Sequence, residues 1–139
     1  MINTLFRRLM TACLLALLLV QQESTLVAAD AHWLIDFEAA RKQAAQQNKD
    51  LLIDFTGSDW CPPCIALHKN IFSKEEFTKQ MSQHYVFISL DFPRDKSKQA
   101  AKTIEQNAKL NKRYNIRGFP TIILADASGK SYDTQVGYP

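Results

Sequence analysis

The sequence predicts an α/β domain in which helices cover both faces of a sheet. Short apolar runs of strand length alternate along the chain with longer segments that have helical periodicity. The apolar runs are almost uninterrupted, which is typical of strands buried on both faces. With 139 residues, 46% of them hydrophobic, the chain is long enough for one domain and a targeting segment, and its composition is that of a globular protein.

The first 29 residues have the pattern of a cleavable secretory signal peptide. Arg7 and Arg8 form a short positive region, and residues 9–20 carry no charge and are dominated by leucine. Ala29 ends a group of small residues of the kind that signal peptidase requires. The uncharged run is shorter than the roughly 20 residues of a membrane span, so an uncleaved anchor is the weaker alternative. We therefore expect residues 30–139 to be exported, with membrane contact only during export.

Removal of this segment changes the cysteine count and the charge. Cys13 lies inside it, so only Cys61 and Cys64 remain in the exported domain. The formal net charge falls from +3 to +2, because two arginines and one glutamate are lost. A charge this small does not favour a nucleic-acid-binding protein, and no nucleic-acid partner is expected.

Eight segments of the exported domain have the pattern of a helix or a strand. In chain order they are helix 33–47, strand 51–55, helices 61–70 and 73–81, strand 85–90, helix 97–114, and strands 121–125 and 131–136.

Spacing and proline predict the first three of these elements. Leu34, Phe37 and Ala44 recur near helical spacing in the first helix. The short apolar run after Asp50 is typical of a buried strand. Pro62 suits the first turn of the next helix, because its missing N–H group needs no partner there.

Capping and turn signals predict the later elements. Ser73 and Glu76 form a capping-box pattern at the start of the third predicted helix. The strand over residues 85–90 is again apolar and β-prone, whereas the helix over 97–114 is polar and rich in lysine, which predicts exposure. Gly129 and the polar residues before it form a turn signal, so the last two strands are expected to form a hairpin.

Cys61 and Cys64 form the pattern that carries chemistry. They follow a predicted strand and open a helix, where their spacing lets the two sulfurs approach closely enough to bond. Free N–H groups and the helix dipole at that position favour a thiolate. A thiol of pKa 8.5 is only about 3% ionised at pH 7, whereas one of pKa about 7 is half ionised. Cys61 therefore fits an attacking thiol, and Cys64, one turn later and less exposed, fits a resolving thiol.

Other uses of the cysteine pair are weaker. A structural disulfide that closes so short a loop would contribute only about 2 kcal/mol. A metal site or metallochaperone using Cys61, Cys64 and His68 would place three ligands along one helix, but zinc or copper would need a further ligand. A c-type haem site is excluded because Ile65, rather than histidine, follows the second cysteine. We therefore expect no metal and no cofactor.

Three motifs together resemble the thioredoxin superfamily. They are Leu52–Phe55, Trp60–Cys64 and Gly118–Thr121. The Gly-Ser-Asp-Trp-Cys approach at residues 57–61 is similar to that of exported bacterial thioredoxin-like proteins. The resemblance covers nearly all of residues 30–139 and implies a thioredoxin-like fold, with a central mixed sheet flanked by helices.

The resemblance also implies a role for five residues. Cys61 would be the nucleophile and Cys64 the resolving thiol of a thiol–disulfide oxidoreductase. Trp60 would flank and shield the site, and Pro120 would be a cis-proline that faces the disulfide. Asp54 would be a buried acid that takes a proton from the resolving thiol, the alternative being a strand-end residue that faces solvent.

The sequence departs from the family pattern in three places. Asp54 lies one residue further from Cys61 than in ordinary thioredoxins, so the intervening loop must be longer. The lysine partner of the buried acid has no counterpart in residues 86–90. The family continues into a last helix beyond residues 137–139, so either the chain is truncated or one sheet face is partly uncovered, and we expect truncation, with the C-terminal helix missing.

The direction of exchange is predicted by the residues between the cysteines. Pro62 and Pro63 have no N–H group, so chiefly the N–H of Cys64 is left to stabilise the Cys61 thiolate. Fewer donors mean a higher thiol pKa and a weaker oxidant. We therefore expect a periplasmic reductase or isomerase of protein disulfides, kept reduced by a membrane or periplasmic electron donor.

Two further patterns have competing interpretations. Phe119 and Trp60 are either an apolar rim for an unfolded polypeptide or part of the core. The basic stretch from Lys96 to Arg113 is most simply a solvated helix face.

Overall fold

A computed structural model describes residues 32–139, so the predicted signal peptide over residues 1–29 lies outside the described residues. The described elements are α1 (Phe37–Gln47), β1 (Asp50–Thr56), α2 (Pro62–Leu67), a π-helical turn (His68–Phe72), α3 (Glu75–Met81), β2 (Tyr85–Asp91), a 3₁₀ turn (Lys96–Lys98), α4 (Ala101–Arg113), β3 (Thr121–Ala125) and β4 (Ser131–Val136). No helix among residues 32–139 is long and apolar enough to cross a membrane.

The four strands form one mixed sheet in the order β2-β1-β3-β4. β1 runs parallel to β2 and antiparallel to β3, and β3 and β4 form the predicted hairpin with the predicted bounds. In this register Asp54 lies between Ser89 of β2 and Ile122 of β3. The mixed sheet with its flanking helices confirms the predicted fold class.

Two hydrophobic cores lie on opposite faces of the sheet, because alternate strand residues point to opposite sides. The first core packs the sheet against α1 and α4, and its buried members are Phe37, Ala40, Ala44, Leu51, Ile53, Phe55, Val86, Ile88, Leu90, Leu110, Ile123 and Ala125. The second core lies under α2 and the turn that follows it, and its buried members are Leu52, Leu67, Phe72 and Phe87. The helix that carries the cysteine pair therefore packs on the smaller core.

The first helix is shorter than the hydrophobic spacing predicts, since it begins at Phe37. Asp36 is its N-cap and accepts a hydrogen bond from the N–H of Ala39 at 3.0 Å. Leu34, which the helical spacing included, instead forms a parallel β-bridge with Ile88. The apolar residues before the cap thus belong to the sheet, and periodicity alone could not separate the two uses.

The predicted capping box at Ser73 is wrong. The Ser73 hydroxyl donates to the carbonyl of Lys69 at 2.9 Å, and so it ends the preceding turn. α3 begins at Glu75, and its N-cap residue, Lys74, makes no side-chain cap. The helix predicted from residue 97 likewise begins later, at Ala101, because a separate 3₁₀ turn comes first.

The outer strand β4 has little cover. All six of its residues are exposed, and its neighbours Ile122 and Leu124 on β3 are only half-buried. No helix follows β4 within the described residues, which end at Pro139. This part of the sheet is therefore exposed on the side of the second core.

Candidate active site

Cys61 and Cys64 form a disulfide at the point where the loop after β1 enters α2. Cys61 is the N-cap of α2, and its sulfur accepts a hydrogen bond from the N–H of Cys64 at 3.3 Å. Both cysteines are 3% exposed, so in this oxidised form Cys64 is not the less exposed of the two. The pair lies where the helix N-terminus favours negative charge on sulfur.

The two prolines between the cysteines occupy the first turn of α2. Proline has no N–H group, so Pro62 and Pro63 cannot donate to the Cys61 sulfur. The Cys64 N–H is the backbone donor that bonds it, as the sequence predicts. The sulfur of Cys61 thus has a poorer set of donors than a helix start with ordinary residues would supply.

Pro120 lies at the same end of the sheet as the disulfide. β1 leads into the cysteine loop, and the antiparallel pairing sets Thr121, the first residue of β3, opposite Phe55 near the end of β1. The Phe119–Pro120 peptide bond is cis, the conformation that the resemblance implies, and Pro120 is buried. Topology therefore brings together two motifs that lie more than fifty residues apart in the sequence.

An aromatic cluster of Trp60, Phe92 and Phe119 includes the residue that directly precedes Cys61 in the chain. The Trp60 ring meets Phe119 edge to face at 5.6 Å between centroids, and Phe119 lies 5.3 Å from Phe92. The indole N–H of Trp60 donates to the Phe92 carbonyl at 2.7 Å. Trp60 and Phe119 are half-buried, so both residues keep part of their surface accessible.

Gly57 makes room for the Trp60 indole. A Cβ atom on Gly57 would lie 2.5 Å from Cε2 of that ring, which no real contact tolerates. The backbone of the loop therefore passes directly against the indole face. The sequence shows a glycine at residue 57, but the need for glycine there depends on the position that the Trp60 ring takes in the fold.

Hydrogen bonds join the loop before Cys61 to the end of β2 and to the segment that follows it. Asp91 accepts the N–H of Ser58 at 2.9 Å on one carboxylate oxygen and its hydroxyl at 2.6 Å on the other, an arrangement that we call the Ser58–Asp91 clasp. Asp59 accepts the N–H of Arg94 at 3.0 Å. These bonds hold the loop between Asp54 and Cys61, which is one residue longer than in ordinary thioredoxins.

Asp54 is buried, with 5% of its surface exposed, so it is not a strand-end residue that faces solvent. It alternates with Ile53 and so points to the same face as Leu52, on the side of the second core and α2. Its Oδ1 atom has no hydrogen-bond partner among residues 32–139. Burial raises the pKa of Asp54 to about 7, and the nearby Asp91 carboxylate adds to the rise.

The metal alternative has no support in the described part of the chain. No group of three or more His, Cys, Asp or Glu side chains within residues 32–139 is placed to hold a metal ion. His68 is exposed and follows the last residue of α2.

Sequence reasoning missed the residues that contact the site but lie far from it in the sequence. Asp91 and Phe92 lie more than thirty residues from the loop that they bind, and neither belongs to a local motif. Their partners Ser58 and Trp60 are in the recognised motif, but nothing local indicates what they bind. A predicted strand that ends beside the loop was the one available signal.

Known proteins resemble the chain in both sequence and structure. A thioredoxin-like domain family matches residues 37–139. Disulfide bond reductase DsbH of Chlamydia pneumoniae is 32% identical over 111 residues, which cover 80% of this chain and 66% of that protein. Thioredoxin-related protein DsbJ of Chlamydia pneumoniae is 28% identical over 92 residues, covering 66% of this chain and 26% of that protein. A solved structure of a DsbH oxidoreductase has a TM-score of 0.73 at 30% identity, over 86% of this chain and 82% of that one.

The chain spans less than two thirds of the length of these two curated relatives. The family match nevertheless covers most of the chain and includes both cysteines, the buried aspartate and the proline before β3. The sheet order and the helix that begins at the cysteine pair agree with it. On these grounds the chain belongs to the thioredoxin-like domain family.

Proposed function

We propose that the chain is an exported thiol–disulfide oxidoreductase that reduces or isomerises disulfides in proteins. The observation that carries the proposal is the Cys61–Cys64 disulfide at the N-terminus of α2, at the same end of the sheet as Pro120. A disulfide that closes so short a loop adds only about 2 kcal/mol to stability, so its value lies in exchange.

The reaction starts from the reduced pair. The Cys61 thiolate attacks one sulfur of the substrate disulfide, forms a mixed disulfide and releases the other substrate sulfur as a thiolate. Cys64 then loses its proton and attacks the Cys61 sulfur, which forms the Cys61–Cys64 disulfide and releases the second substrate thiolate. Two electrons pass from the cysteine pair to the substrate.

Asp54 is the group that we assign to accept the proton of Cys64. A carboxyl group with a pKa of about 7 exchanges protons readily near neutral pH, which is what a general base requires. Its Oδ1 atom, without a partner among the described residues, keeps an acceptor available. We assign Pro120 and Trp60 to the surface on which the substrate polypeptide lies.

Two observations favour the reducing direction. Pro62 and Pro63 leave the Cys61 sulfur with one backbone donor among residues 32–139, the N–H of Cys64, which makes the thiolate less stable and the disulfide a weaker oxidant. The relative DsbH from Chlamydia pneumoniae is named a disulfide bond reductase.

A dithiol protein in the membrane or periplasm would have to return two electrons after each cycle. The signal-peptide pattern of residues 1–29 supports a periplasmic location.

Thiol trapping and a redox titration test the proposal. We expect Cys61→Ser to abolish reduction of a protein disulfide and Cys64→Ser to accumulate mixed disulfides. Cys13→Ser is the matched control, because this third cysteine lies in the predicted signal peptide and its loss should leave the rate unchanged. A reduction potential below about −200 mV is expected for the Cys61–Cys64 couple. A value near −120 mV would identify an oxidase and reject the direction proposed.

A further inference from the structure

Charge is unevenly distributed along the described chain. Residues 94–117 contain eight Lys or Arg and two Asp or Glu, a net charge of +6. The other described residues contain seven basic and ten acidic side chains, a net charge of −3. The small net charge of the whole chain therefore conceals two regions of opposite sign.

The basic side chains of this segment are accessible. All eight are exposed, and they are Arg94, Lys96, Lys98, Lys102, Lys109, Lys112, Arg113 and Arg117. Among residues 32–139, only Lys102 and Lys109 of these eight form salt bridges, with Asp36 and Glu105. Most of the positive charge is thus available to a partner.

Both ends of the basic segment lie near residues that directly precede the cysteine pair. The backbone N–H of Arg94 binds Asp59, one residue before Trp60. Arg117 lies two residues before Phe119, whose ring packs against both Trp60 and Phe92. Arg94 and Arg117 therefore each lie two residues along the chain from a phenylalanine of the aromatic cluster, and Lys96 and Lys98 continue the positive charge at one end.

Carboxylates near the site only partly offset this charge. Asp95 is hydrogen-bonded to Ser97, and Asp59 accepts the Arg94 amide. Asp91 is engaged by the hydroxyl and the N–H of Ser58. Hydrogen bonds to neutral groups leave these three carboxylates charged, so four cations at the ends of the segment stand against three anions and an excess of one positive charge remains.

We propose that this basic surface, defined by Arg94, Lys96, Lys98 and Arg117, selects disulfides that lie in acidic polypeptide segments. The inference rests on the proposed function and names its substrate class. Positive charge beside a reactive group speeds the approach of negatively charged partners, and the effect weakens as salt screens it. Selection of this kind appears mainly in the rate of encounter and depends on ionic strength.

Two synthetic peptides test the proposal. Each carries one disulfide, flanked in one peptide by four glutamates and in the other by four lysines. We expect the reduced full chain to reduce the acidic peptide about tenfold faster at 20 mM salt, and this ratio to fall towards one at 500 mM. The double variant R94E/R117E should lower the ratio at least about fivefold.

The double variant K49E/K130E is a matched control, because it makes the same change in net charge. Lys49 precedes the start of β1 and Lys130 lies in the β3–β4 turn, both at the end of the sheet far from the cysteines. This variant should change the rate ratio by less than about twofold. The Arg94 contact with Asp59 uses the backbone N–H, so the substitution at residue 94 leaves it in place.

The outcomes separate this inference from the function on which it rests. Equal rates for the two peptides, or a ratio that salt does not change, would overturn the charge selection and leave the oxidoreductase intact. Failure to reduce either peptide, in a chain that also fails with protein disulfides, would reject both. If vesicles of phosphatidylglycerol bind the chain and the peptides are not distinguished, the basic surface serves a membrane and the proposal is wrong.

Discussion

Asp54 links the chemistry of the site to the stability of the fold. The folded chain keeps a proton on this carboxyl group up to about pH 7, whereas the unfolded chain loses it near pH 4. The folded state therefore binds more protons between these values, and the free energy of unfolding falls as the pH rises from about 4 to 7. At pH 8 the cost of ionising Asp54 amounts to about 4 kcal/mol.

Asp54→Asn should remove that pH dependence. We expect the variant to be more stable than the parent by up to about 4 kcal/mol at pH 8 and nearly equal to it at pH 4, as measured by urea denaturation of the oxidised protein. Asp133→Asn, on the exposed strand β4, is the control and should show no such difference. A parent chain whose stability is the same at both pH values would contradict a buried acid with a raised pKa.

Gly57→Ala tests how closely the loop approaches Trp60. The added methyl group would lie within 2.8 Å of three indole atoms, so the ring or the loop must move. We expect a loss of about 1–3 kcal/mol in stability and a change in tryptophan fluorescence. Gly118→Ala is the matched control, because its nearest neighbour would be 3.8 Å away and its effect should be small. Equal effects of the two substitutions would show that the indole does not confine residue 57.

At the scale of elements, the Ser58–Asp91 clasp joins the cysteine loop to β2. Ser58→Ala removes one bond and keeps the charge, so we expect a loss of about 1 kcal/mol and an unchanged pH profile. Burial is the main cause of the raised pKa of Asp54, and Asp91→Asn removes the charge that adds to it, so the pH midpoint for resolution of the mixed disulfide should move to lower pH. Rates of mixed-disulfide release measured against pH distinguish the two. If both variants move the midpoint equally, the clasp acts through geometry alone.

The elements also show where sequence reasoning works and where it ends. The β3–β4 hairpin has the predicted bounds, because its alternation and its turn signal are local. The predicted start of α1 is wrong. Leu34 fits the helical spacing, but it forms a β-bridge to Ile88 that no local pattern reveals. The cysteine pair was predictable from its motif, whereas the clasp was not, because its partners lie 33 residues apart.

Across the whole molecule, the sheet order predicts how stability is distributed. β1 lies between two strands and is almost completely buried, whereas β4 is an exposed edge with one partner. Native-state hydrogen exchange should therefore be slowest in the amides of β1, at rates set by global unfolding, and fastest among the strands in β4. Protection of β4 equal to that of β1 would indicate that something outside residues 32–139 covers this edge.

The unequal division of the core has a consequence for how this protein could diverge. Within the described residues, twelve buried side chains form the first core and only four form the second, on which the cysteine helix packs. Substitutions among those four would shift the cysteine helix while the larger core keeps the sheet assembled. The position of the cysteine helix and the assembly of the sheet thus depend on different cores. Related sequences could therefore change the redox properties of the cysteine pair and keep the fold.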